Sequence, residues 1–164
     1  MKWLRDGFVL LVALVLQSTV LHRIEIAGVR PDLLVAYVVY IAWMRGPVVG
    51  TIVGFGVGLI QDLDASVPLG LNALAKSLVG FLVAKAGFRV HRANAGVRFA
   101  FFFIAMLVHD VIYYAVATDG DLAMFAKQMV LSAVPSALYT GVVVVILLGI
   151  VEAFSRKLLL ADEV

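Results

Sequence analysis

The chain has 164 residues, of which 63% are hydrophobic and 15% charged, and a mean hydropathy of +1.07. A soluble domain cannot solvate its own surface with that composition, so the sequence reads as a membrane protein. The formal net charge is only +2, and the absence of cysteine excludes disulfides, thiolate metal sites and cysteine nucleophiles.

Six apolar blocks separated by short polar breaks occupy residues 7–21, 31–44, 46–60, 69–88, 97–117 and 128–153. A span needs about 20 mostly apolar residues to cross a hydrocarbon core of about 30 Å. The pattern therefore predicts an all-α, polytopic membrane helical bundle of six transmembrane helices, with residues 1–164 as a single integral membrane domain. The second and third blocks are short, and borrow flanking residues or sit inside the bundle.

The first block follows Lys2 and Arg5, as a secretory signal would. No small-x-small cleavage site follows, and Gln17-Ser18-Thr19-Val20 leads directly into Leu21 and His22, so the block reads as an uncleaved first helix. The third block places Gly46, Gly50, Gly54 and Gly58 at a spacing of four, with Gly56 beside them. Such a ridge lets another backbone approach closely where no hydrophobic effect draws helices together. Packing within the bundle is the first reading; a partner helix or a second copy, giving a homodimer, is the alternative. A nucleotide-binding loop is rejected because these glycines lie inside a span.

The break over residues 61–70 carries Asp62 and Asp64 and ends in Pro68 and Gly70. Capping and turn formation is the preferred role for the carboxylates, because no His, Glu or third carboxylate is spaced with them to complete a metal or acid–base site. Asn72 and Lys76 follow one helical turn apart on one face of the fourth block. The fifth block carries His109 and Asp110. Counted from the nearer block ends, Lys76 and Asp110 both lie about 10 Å deep. An intramembrane ion pair between Lys76 and Asp110 is predicted, because a short Asp side chain cannot reach the headgroups. A proton relay through His109 and Asp110 is the weaker reading, since a relay needs more titratable groups. In the sixth block Pro135, followed by Ser136 and Thr140, predicts a kink.

With the N-terminus cytoplasmic, the inner side holds Lys2, Arg5, Arg45, Lys85, Arg89, Arg92, Arg98, Arg156 and Lys157, against Arg23, Arg30 and Lys127 outside. That bias predicts both termini in the cytoplasm. Trp3 and Trp43 then fall at the inner interface, and Tyr113 and Tyr114 toward the outer one. The basic residues are parcelled among loops, which argues against nucleic acid. The cluster Arg89-Val90-His91-Arg92 reads as a topology determinant, with contact to anionic membrane lipids as the second reading. No nucleophile, metal cluster or acid–base pair converges at one depth, so no catalytic residue, metal or cofactor is predicted and the protein reads as a non-enzyme.

The run Gly58-Leu59-Ile60-Gln61-Asp62 through Pro68-Leu69-Gly70-Leu71-Asn72-Ala73-Leu74 to Gly80-Phe81-Leu82, with the earlier Arg30-Pro31-Asp32-Leu33-Leu34, resembles the signature of the bacterial rod shape-determining protein MreD family. The matching motif positions are Pro31, Asp32, Asp62, Pro68, Gly70 and Asn72. Lys76 is more polar than expected of the family at its helix position, and no family role is carried onto it. The resemblance implies a non-enzymatic scaffold in the bacterial inner membrane, part of the cell-elongation complex. It would bind the single-span protein MreC and act indirectly with MreB filaments and the peptidoglycan synthases that maintain rod shape. The family is also similar in architecture to the substrate-binding subunits of energy-coupling-factor vitamin transporters. That similarity supplies the alternative function, with Asp62, Asp64 and Asn72 lining a small-ligand pocket.

Overall fold

A computed structural model describes residues 2–19, 31–64, 68–86 and 94–161. Among them the chain is entirely helical: α1 (Lys2–Thr19), α2 (Leu33–Arg45), α3 (Pro47–Asp64), α4 (Leu71–Ala86), α5 (Ala95–Ala117), α6 (Leu122–Gln128) and α7 (Val134–Ala161). A π-helical segment, Met129–Ala133, joins α6 to α7 in one rod. Two stretches, Ala95–Ala117 and Leu122–Ile150, are long and apolar enough to cross a membrane, and Leu33–Arg45 and Pro47–Leu63 are shorter apolar helices. The basic cluster at 89–92, together with Arg23 and Arg30, lies outside the described residues.

Helix α2 is the centre of the bundle and packs against α1, α3, α4, α5 and α7. It is apolar over nearly its whole length, as a central helix must be, and Val35, Val38, Val39 and Ala42 are buried completely. Asp32 starts it: the side-chain Oδ1 accepts from the amides of Leu34 and Val35, both at 2.9 Å. Gly46 stops it at φ 90°, a conformation that favours glycine, while its amide donates to the Ala42 carbonyl at 2.9 Å. Pro47 then opens α3, where its missing N–H costs nothing.

The most extensive contact in the bundle is between α3 and α4, and it is made backbone to backbone. A Cβ on Gly54 would overlap the carbonyl of Lys76, one on Gly58 the carbonyl of Asn72, and one on Gly50 would stand 2.6 Å from the Ala42 Cβ. Gly80 completes the seam from α4, where a Cβ would strike the Gly50 carbonyl. The seam therefore consists of Gly50, Gly54, Gly58 and Gly80. Gly46, counted into the ridge by its spacing, does not belong to it: nothing lies within 4 Å of its Cβ position, because it has left the helix to cap α2. Gly56 likewise faces open space.

The outer surfaces of the rods are apolar. On α3, Val48, Ile52, Phe55 and Leu63 are exposed, and on α1, Leu4, Phe8, Leu11 and Val15. The polar residues Lys76, Asn72, Asp62, His109 and Thr140 are buried. This inverts the arrangement of a water-soluble domain and matches hydrocarbon as the surrounding solvent. At Pro135 the missing N–H is absorbed by the π-helical turn before it, where the Val134 amide reaches back to the Met129 carbonyl.

Candidate functional site

Most of the buried polar groups gather at the end of the bundle where α2 and α4 begin and α3 ends. Asp32 stands there because it caps α2, and Asn72 and Lys76 because they occupy the first turns of α4. The glycine seam fixes their height, since Gly54 and Gly58 pack on the backbones of Lys76 and Asn72. Helix α5 supplies His109 and Asp110, and α7 supplies Thr140.

Lys76 is fully buried. Its ammonium donates to Asp32 Oδ2 at 3.3 Å, Asn72 Oδ1 at 3.2 Å and His109 Nε2 at 3.3 Å. An ammonium has three hydrogens, and three acceptors surround this one. Because lysine can only donate, His109 Nε2 is the accepting nitrogen, and the ring hydrogen sits on Nδ1, facing Asp110 Oδ1 at 2.9 Å. Tyr113 stacks on the His109 ring, with centroids 6.1 Å apart. The predicted ion pair between Lys76 and Asp110 is thus corrected: the ion pair of Lys76 is with Asp32, and His109 stands between Lys76 and Asp110. Matched depth brought the two residues into one cluster, but the imidazole fills the space that a direct contact needs.

Asp62 makes a second node. The expected loop begins later than residue 61, because α3 continues to Asp64 and carries Asp62 on its last turn. Its Oδ1 accepts from the Asn72 amide at 3.0 Å and from Asn72 Nδ2 at 2.9 Å, and its Oδ2 from the amides of Gly70 and Ala73 at 3.0 and 3.1 Å. One carboxylate so satisfies the otherwise orphaned amides at the start of α4. Gly70 occupies φ 99° in that turn. Asn72 links the two nodes: its side-chain amide donates to Asp62, and its Oδ1 accepts from Lys76.

Several partners escape a reading of the sequence. The Asp32 amide donates to Thr140 Oγ1 at 3.0 Å, and Gln17 accepts from the Leu33 amide at 3.0 Å while donating to the Pro31 carbonyl at 3.3 Å. The start of α2 is thereby held by both α1 and α7. At the opposite end, buried Asp6 pairs with Arg5 at 3.2 Å and with Arg45, whose Nε donates at 3.1 Å, and the Tyr37 hydroxyl donates to the Asp6 carbonyl at 3.0 Å. The only signal for Asp6 in the sequence is its position as the one acid among the basic residues that open the chain.

Among the described residues no group of three or more His, Cys, Asp or Glu side chains has the geometry to hold a metal ion. What the arrangement does chemically is cross-link: it joins α2, α4 and α5 through one ammonium and α3 to α4 through one carboxylate. Comparison with curated proteins and with solved structures yields no match. The model of the rod shape-determining protein MreD family matches residues 1–158, and the chain therefore belongs to that family of membrane proteins, which acts in rod shape determination and is not known as an enzyme family.

Proposed function

We propose that the chain is a multispan scaffold of the cell-elongation complex in the bacterial inner membrane, crossing six times with both termini cytoplasmic. In this reading it binds MreC and acts through it with MreB and the peptidoglycan synthases in lateral wall synthesis. The observation that carries the scaffold reading is the closure of the Lys76 cluster. All three ammonium donors are used inside the bundle, and Asp62 and Asn72, two of the three residues a vitamin pocket would draw on, are bonded to one another, while the side chain of the third, Asp64, lies outside the described residues. Polar groups so placed hold a shape and offer little to a ligand.

The six rods, counting α6 and α7 as one, support six crossings, and the distribution of basic residues supports the orientation. A reporter active only outside the cytoplasm should be active when inserted at Gly120, in the turn between α5 and α6, and silent when fused after Val164; the reverse pattern contradicts the orientation. The alternative, a vitamin-binding subunit, is separated by a melting assay on the purified protein. A scaffold shows no thermal stabilisation by a panel of vitamins, whereas binding at a hundredfold excess over Kd would add about 2.7 kcal/mol. A clear upward shift with one vitamin overturns the scaffold reading.

A further inference from the structure

An open apolar groove of about 500 Å³ runs between α1, α2 and α7, with Phe102 of α5 at its floor. Along α1 it extends from Arg5 to Leu16, about 17 Å at 1.5 Å per residue. That is close to half of a hydrocarbon core of about 30 Å: the groove is one leaflet long. Val9, Val12, Tyr40 and Leu147 give it apolar walls, and among the described lining residues the small ones are Ala13 and Ala36.

Two features select the occupant. Close helix packing in a membrane relies on small residues, and the described lining of this groove is mostly large; a flexible acyl chain needs no small residues. At one mouth stands Arg5, whose side chain is 59% exposed. Arg5 lies against the Asp6 carboxylate, which Arg45 also contacts, so an exposed guanidinium stands at that mouth. The Arg5 guanidinium has five donors, and its bonds to Asp6 leave the remainder for an anion. Charge at the headgroup end and apolar walls over one leaflet together describe a phospholipid.

We propose that this groove is a lipid site, holding one acyl chain of an anionic phospholipid from the leaflet at the Arg5 end, with the lipid phosphate on Arg5. The site rests on the chain's lying in a bilayer. It is independent of MreC binding and of which side the termini face.

The full-length chain is reconstituted in vesicles of equal phosphatidylglycerol and phosphatidylcholine, extracted in mild detergent and weighed by native mass spectrometry. One phosphatidylglycerol per chain should be retained, enriched several-fold over phosphatidylcholine. Arg5→Gln should abolish the enrichment and still keep a lipid. Val9→Trp and Val12→Phe fill the groove from positions that are 40% and 37% exposed, so each should fold, with an unchanged melting curve as the control, and lose the lipid. Equal retention of the two lipids by the unmodified chain, or full retention by whichever filled variants fold, overturns the proposal. So does a folded filled variant that keeps its lipid but sheds a co-purified single-span protein, for the groove is then a helix site. Vitamin binding in the melting assay would leave all of these outcomes in place, so failure of the scaffold reading and failure of the lipid site are distinguishable.

Discussion

Lys76 Nζ lies 3.3 Å from Asp32 Oδ2, which joins the first turns of α4 to the N-cap of α2 across 44 positions of sequence. Asp32 divides its two oxygens between the two tasks: Oδ1 caps α2 and Oδ2 takes the lysine. One short side chain thus sets both where the central helix starts and which helix lies beside it.

That division can be tested by substitution. Asp32→Asn retains an oxygen for the cap and removes the charge, whereas Asp32→Ala removes both. Asn should therefore be the milder by about 1 kcal/mol, the usual worth of a cap. Combined with Lys76→Met, Asp32→Asn should cost less than the sum of the two single changes, because each alone leaves a buried charge unpaired. The coupling should be about 1 kcal/mol, in line with polar contacts in membranes. Reversible unfolding in mixed micelles measures it, and strict additivity would contradict the pair.

The glycine seam makes a sharper demand. Gly54→Leu places its side chain against the Lys76 carbonyl, a backbone atom that cannot move aside. Folded yield should collapse. Gly56→Leu, on the same helix but facing open space, should be tolerated. Size-exclusion profiles of the two variants decide, and equal behaviour would remove the packing account.

Asp62→Asn keeps the shape of the side chain but turns one accepting oxygen into a donor facing amide hydrogens. The substitution should destabilise the protein by about 1–3 kcal/mol, the cost of leaving buried donors unmet. Hydrogen exchange at the amides of Gly70, Asn72 and Ala73 should rise with it. Unchanged protection at those amides would contradict Asp62 as the cap of α4.

What could be read from the sequence followed the kind of signal. Apolar block length places the helices, because the length of a span is set by the bilayer. The spacing of Gly50, Gly54 and Gly58 reveals their face, because a repeat of four is a helical geometry. Gly46 fits the same repeat and yet serves as a stop, since spacing alone does not say where a helix ends. Depth in the membrane is legible to within a turn, which places Lys76 and Asp110 in one layer. Rotation of each helix about its axis is not legible, so nothing in the sequence points to Asp32 as the lysine's partner. Gln17 and Thr140 bond backbone groups of α2, and the sequence gives no hint of such a contact over 108 positions.

In the proposed scaffold function the polar interior of the bundle holds a shape for a partner protein. The most direct test is co-purification of the tagged full-length chain with MreC, both produced in one cell, from solubilised membranes. MreC should co-elute at a fixed ratio through size exclusion, and Gly56→Leu, which faces open space, should leave that ratio unchanged. A chain that elutes alone while folded, retaining a small molecule in place of MreC, would contradict the scaffold reading.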